Sequence, residues 1–165
     1  MTSKEKEISK EKAPSREKVL SALQAQCVKR EYCVSDISRK ALERCKGDAD
    51  MAAWIVESLK ADKFVDDARY ASAFAREKSS LTGWGPIKVR FALRAKGLSD
   101  EDISAGLSEV DVDAADARLK KLLSAKWKSL SEDKDGRLKL IKFALSRGYE
   151  YSKIEPLVDE LTRHG

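Results

Sequence analysis

Between Arg76 and Gly97 the chain carries six cations, Arg76, Lys78, Lys88, Arg90, Arg94 and Lys96, against Glu77 alone. Trp84 stands among them, flanked by Gly83 and Gly85 and followed by Pro86. Cations in such a run attract phosphate-bearing or acidic partners and give salt-sensitive affinity and fast association. Arg90 and Arg94 are four apart, so on a helix they share one outward stripe, while Val89, Ala92 and Leu93 face another way. Trp84 has two readings. It packs over the first turn of the helix that follows, or it stands beside Lys88 and Arg90 as a rigid interface anchor.

The remaining reactive side chains build no second chemistry. His164 is the only histidine, so no nucleophile–base pair can form around it, and no phosphate-cradling loop is present. Asp66-Asp67 and Asp100-Glu101-Asp102 could hold Mg²⁺, but both sit where helix caps belong. Cys27, Cys33 and Cys45 are odd in number and form no CxxC pair, which points to reduced structural thiols. The sequence therefore predicts no catalytic residue, no metal site, no cofactor and no enzymatic activity.

Charge is arranged in blocks. The 76–97 segment has a net charge of +5. Residues 98–116 hold seven acids and no base, and residues 117–149 hold ten bases against Glu132, Asp133 and Asp135. A whole-chain excess of +5 conceals this alternation. Part of it follows from helix dipoles, which favour acids at N-termini and bases at C-termini. No apolar run approaches a membrane span and no apolar signal core opens the chain, so the expected location is the cytoplasm, with no membrane contact.

The elements that position these groups are helices. Ala, Leu, Lys, Glu and Arg dominate, and Gly and Pro are few. Gly47, Gly97 and Gly148 recur at intervals of 50 and 51, each directly after a basic residue and shortly after an Ala-Leu pair. That period marks tandem supersecondary units. The reading is all-α: three repeats of three helices each, forming an elongated, curved array. Residues 1–14 form a mobile charged tail, 15–63 repeat 1, 64–110 repeat 2 and 111–165 repeat 3. The nine helices are expected near 15–31, 35–45 and 49–61, then 66–80, 86–96 and 99–109, then 112–128, 134–147 and 152–163. Pro86 suits a first helical position and Gly97 a left-handed stop. Asp66 caps its helix, with Val65 placed to staple Tyr70. Ser152 and Glu155 have capping-box spacing, ahead of a stripe of Ile154, Leu157, Val158 and Leu161.

The stretch "FVDDARYASAFAREKSSLTGWGPIKVRFALRAKGLSDEDI", residues 64–103, resembles the RecX family of bacterial regulators of the RecA recombinase. The likeness lies in Phe64, Asp66, Asp67, Arg69, Tyr70 and Ala71, then Gly83-Trp84-Gly85-Pro86, then Lys88, Arg90, Leu93, Lys96, Gly97 and Ile103. "KFALSRGYEYSKI", residues 142–154, and "REYCVSDISRKAL", residues 30–42, are similar to the family's third and first repeats. The turn "ERCKGDAD" departs from the family by its greater length. The resemblance implies a monomeric regulator that lies along RecA–DNA filaments and lowers strand exchange, ATP hydrolysis and the co-protease activity of the SOS response to DNA damage. Single- and double-stranded DNA would be bound weakly and without sequence preference. The candidate RecA- and DNA-binding residues are Arg69, Arg76, Lys78, Trp84, Lys88, Arg90, Arg94 and Lys96.

Two other functions stay open. Residues 86–96 and 99–109 have the outline of a helix-turn-helix, but the recognition helix would bring Asp100, Glu101 and Asp102 toward DNA, which is electrostatically wrong. A non-enzymatic helical scaffold is compatible with the composition.

Overall fold

The computed structural model describes residues 14–164, and their regular structure consists of nine α-helices. They are α1 (Arg16–Lys29), α2 (Val34–Arg44), α3 (Ala49–Ala61), α4 (Asp67–Leu81), α5 (Pro86–Ala95), α6 (Asp100–Leu107), α7 (Val112–Leu130), α8 (Gly136–Ser146) and α9 (Tyr151–His164). Apart from Pro14, the expected tail lies outside the described residues. The fold is an all-α helical repeat.

Side-chain caps start most of these helices. The Asp48, Ser99 and Asp111 side chains accept the backbone N–H of Met51, Asp102 and Ala114 at 3.0–3.1 Å. Asp66 accepts from the Arg69 N–H at 3.1 Å, as the sequence predicts. The capping box at Ser152 is not formed. The Glu150 carbonyl accepts the Lys153 and Ile154 N–H groups, so α9 starts at Tyr151, with Ser152 already in its first turn. Pro156 then lies inside the helix, where its missing N–H removes one ladder bond.

Helices α2, α5 and α8 stop alike, with Gly47, Gly97 and Gly148 at φ of +87°, +82° and +91°. The long first-repeat turn has a local cause, since Lys46 is also left-handed there, at φ 56°.

The chain divides into two compact units, one ending at Tyr70 and the other starting at Ala71. The first packs α1, α2 and α3 around Leu23, Ile37, Ile55 and Leu59, all fully buried. The Asp67 carboxylate accepts the Val34 N–H at 2.8 Å and so ties the start of α4 to the start of α2. Its three cysteines are free thiols. Burial is the main cause that pushes the Cys27 and Cys45 thiols up, which keeps both protonated and inert.

In the second unit Ala71, Ala75, Val89, Leu93 and Ile103 are buried among α4, α5 and α6. Leu119, Leu123, Leu140, Ile154 and Val158 form a further core among α7, α8 and α9. The α9 stripe is as expected: Ile154 and Val158 are fully buried, while Leu157 and Leu161 pack half-buried at the edge.

Backbone bonds join these two triplets. The Gly85 N–H donates to the Arg147 carbonyl at 2.6 Å and the Ile87 N–H to the Gly148 carbonyl at 2.9 Å. A Cβ on Gly85 would stand 2.6 Å from the Gly148 carbonyl carbon, and one on Gly148 2.5 Å from the Lys88 nitrogen. Here backbone lies directly on backbone, which only glycine permits.

Candidate functional site

The loop from Thr82 to Gly85 is fixed from several sides. The Thr82 and Trp84 N–H groups both donate to the Lys78 carbonyl, at 3.3 and 3.0 Å. The Tyr149 hydroxyl donates to the Gly83 carbonyl at 3.0 Å, and Arg147 Nη1 donates to the Thr82 carbonyl at the same distance. Each glycine beside Trp84 thus has its own reason: Gly83 is left-handed, at φ 66°, and Gly85 has no room for a side chain.

The loop holds Trp84 half-buried. Its ring meets Phe74 edge to face, 6.2 Å between centroids and 67° between planes. With Ala75, Val89, Leu107 and Tyr149 it also lines a 270 Å³ cavity. Two ammonium groups lie over the ring, Lys78 Nζ at 4.9 Å and Lys88 Nζ at 4.6 Å. Such cation–π contacts contribute about 0.5–2 kcal/mol and leave the positive charge in place. One edge of Trp84 therefore packs, as the first sequence reading expects, and the face collects two cations.

Arg90 and Arg94 are less free than their spacing implied. Arg90 is half-buried and its Nη1 donates to Ser104 Oγ at 3.3 Å. Arg94 is exposed, but its Nε donates to Asp100 Oδ1 at 2.8 Å. The stripe leans on α6, and the first acid of that helix neutralises its second member. Lys96 is the half-exposed C-cap of α5 and is engaged with a neighbour. Arg76 is exposed on α4. Arg69 belongs to the first unit, where Nε pairs with Glu31 at 2.8 Å and Nη2 donates to the Phe64 carbonyl at 3.2 Å. Its charge is committed to holding that unit together.

The large apolar residues that α5 presents to solvent are Ile87 and Phe91, 49% and 76% exposed. Sequence reasoning passed over both. The signal was there, because Val89 and Leu93 form the buried pair and a two-residue offset turns a side chain by ~200°. Two apolar i, i+4 pairs offset by two residues cannot share one face. The cationic indole and this apolar pair, on either side of the α5 N-terminus, form the candidate site.

The acidic block 98–116 serves largely as caps. Asp100, Glu101 and Asp102 occupy the first turn of α6, Asp111 caps α7, Asp113 lies in its first turn, and Asp116 pairs with Lys153 at 2.7 Å. Among the described residues no group of three or more His, Cys, Asp or Glu is placed to hold a metal ion, and no helix is long and apolar enough to cross a membrane.

Comparison with known proteins matches these features. The family model described as "RecX, second three-helix domain" matches residues 66–107, which contain α4 to α6 and the whole candidate site. The "Regulatory protein RecX" of Clostridium botulinum is 33% identical over 117 residues, covering 68% of this chain and 54% of the relative. That of Haemophilus ducreyi is 29% identical over 131 residues, covering 79% of this chain and 84% of the relative. The chain spans about half the length of the clostridial relatives it matches. In fold it is similar to the crystal structure of RecX from Lactobacillus salivarius, at a TM-score of 0.78 and 19% identity, covering 88% of this chain and 96% of that one. The matched segment carries the glycine-flanked indole and its cations, and with these relatives it places the chain in the RecX family of regulatory proteins.

Proposed function

We propose that the chain regulates the RecA recombinase in the cytoplasm as a monomer, by binding RecA–DNA filaments and lowering strand exchange, ATP hydrolysis and the co-protease activity of the DNA-damage response. Family membership supports this, and the observation that carries it is the α5 face. Exposed Ile87 and Phe91 share α5 with Lys88, one of two ammonium groups that cover the Trp84 indole, neither with a carboxylate partner among the described residues. A nucleoprotein filament offers both kinds of complement, apolar protein surface and phosphate. The acidic first turn of α6 disfavours base readout by that helix, so DNA contact is through the backbone and insensitive to sequence.

The test is RecA's ATPase on single-stranded DNA. Wild type inhibits it. The double variant Ile87→Ala with Phe91→Ala loses about tenfold in inhibitory potency, since truncating an exposed apolar anchor at an interface centre costs about 1–2 kcal/mol. Its melting temperature stays that of wild type, because neither side chain is buried. Full inhibition by the folded double variant removes this face from the interface.

A further inference from the structure

A second cationic feature lies in the third repeat, outside the candidate site. Arg118, Lys121 and Arg147 line a shallow 570 Å³ hollow against Leu81, Thr82 and Gly83, and no carboxylate lines it. Among the described residues none of the three cations has an ion-pair partner.

Neutral groups hold the two guanidiniums instead. Arg118 Nη2 donates to Ser79 Oγ at 3.1 Å, and its Nε is buried with no acceptor. Arg147 Nη1 donates to the Thr82 carbonyl at 3.0 Å, and its guanidinium lies 5.3 Å from the Phe143 ring. These contacts fix orientation and leave the charge in place. Lys121 is exposed and three residues beyond Arg118 on α7, on the same side of that helix. Tyr149 senses both guanidiniums: its hydroxyl is pushed up by burial, and the charges of Arg118 and Arg147 oppose that rise. The acid that also acts on Tyr149, Asp116, is already paired with Lys153. A partly desolvated guanidinium with no carboxylate partner is costly to maintain, and an anion bound beside it would offset that cost. Leu81, 77% exposed, forms one wall, an apolar surface that a lone inorganic ion would not need.

We infer that this hollow is a phosphodiester-binding notch, in which Arg118, Lys121 and Arg147 take a backbone phosphate of a DNA strand and Leu81 meets the adjoining sugar. The strand's identity rests on the filament reading above, and the convergence of three uncompensated cations does not. No base edge is read, so binding is independent of sequence and steeply dependent on salt.

The test is fluorescence anisotropy of the full chain with a labelled oligo-dT strand over a range of salt, without RecA. Lys121 is exposed and has no ion pair among the described residues, so Lys121→Glu keeps the melting temperature. It is expected to weaken binding about three- to tenfold and to reduce the log–log salt slope by about 0.7, the loss of one phosphate contact on a single strand. Lys142→Glu, an equally exposed lysine outside the hollow, leaves the slope unchanged. Arg147→Gln repeats the loss of slope with melting checked in parallel. An unchanged slope in Lys121→Glu, or equal losses in Lys121→Glu and Lys142→Glu, overturns the notch. If wild type still inhibits RecA in that case, the filament reading survives without it. A lost slope in a chain that leaves RecA untouched supports the notch and removes the filament reading. Inorganic phosphate at constant ionic strength is the second arm. A rise in melting temperature that Lys121→Glu abolishes, with the DNA slope unchanged, assigns the hollow to free phosphate and overturns the DNA strand.

Discussion

Replacing Gly148 with alanine tests how the second and third helix triplets are joined. Gly97 and Gly148 stop equivalent helices at nearly the same angle, φ +82° and +91°, so the backbone strain of a Cβ is about the same at both, about 1–2 kcal/mol. Their surroundings differ. Nothing lies within 4 Å of a Cβ on Gly97, whereas one on Gly148 would meet the Lys88 nitrogen at 2.5 Å and its Cα at 3.0 Å. Those are backbone atoms, which cannot turn aside as a flexible side chain would. Relief requires α5 to withdraw, and withdrawal stretches the Gly85–Arg147 and Ile87–Gly148 hydrogen bonds. Overpacking costs about 1–3 kcal/mol and the two bonds about 1 kcal/mol each. Gly148→Ala is therefore expected to lose about 4–7 kcal/mol, strain included, against about 1–2 kcal/mol for Gly97→Ala. Urea denaturation followed by tryptophan fluorescence reads both, because Trp84 and Trp127 lie in this unit. Equal losses for the two variants, within about 0.5 kcal/mol, would show that the joint does not depend on close backbone approach.

Two further outcomes follow from the same geometry. Tyr149→Phe deletes the bond to the Gly83 carbonyl and costs about 1 kcal/mol at neutral pH. Because burial raises the folded hydroxyl's pKa, its stabilising effect is full below the ordinary tyrosine value of about 10 and is lost as pH rises beyond it. The stability gap between wild type and Tyr149→Phe therefore narrows in alkali, and a gap that stays constant up to about pH 11 would refute that assignment. Arg69→Ala strips the half-buried Glu31 carboxylate of its partner and is expected to cost the first unit about 1 kcal/mol, read through Trp54, with the DNA salt slope unchanged. A reduced slope would return Arg69 to the binding surface.

Much of the fold was legible because it is written locally. Asp66 three residues ahead of Arg69, Pro86 at a first helical position and glycines at a period of 50 all act within one turn of where they stand. The capping box at Ser152 misled because Glu150 offered its carbonyl first, and two overlapping starts cannot be ranked from residue types. The site was less legible. Gly85 and Gly148 were readable as a helix start and a helix stop, and each is one. Their shared role depends on which backbone lies opposite, and nothing local specifies that. The partners of Arg69 and Arg94 arise in the same way, Glu31 from 38 residues upstream and Asp100 from across the Gly97 turn.

That difference bears on what a basic segment can do. Cations of one composition meet three fates here. Arg69 and Arg94 face carboxylates, and their charge is spent within the fold. Lys78 and Lys88 lie over an aromatic face, which holds them without cancelling them. Arg118 and Arg147 are oriented by a hydroxyl and a carbonyl, and burial makes the uncompensated charge of Arg118 more costly still. Only the last two groups keep a field that a polyanion can feel at close range. The net charge of a segment therefore overstates its affinity where acids cap the next helix and understates it where neutral oxygens do the holding. By that measure the cations beside Trp84 and in the Arg118 hollow keep their charge for the proposed phosphate contacts, Arg90 joins them because only the Ser104 hydroxyl holds it, and Arg94 contributes least.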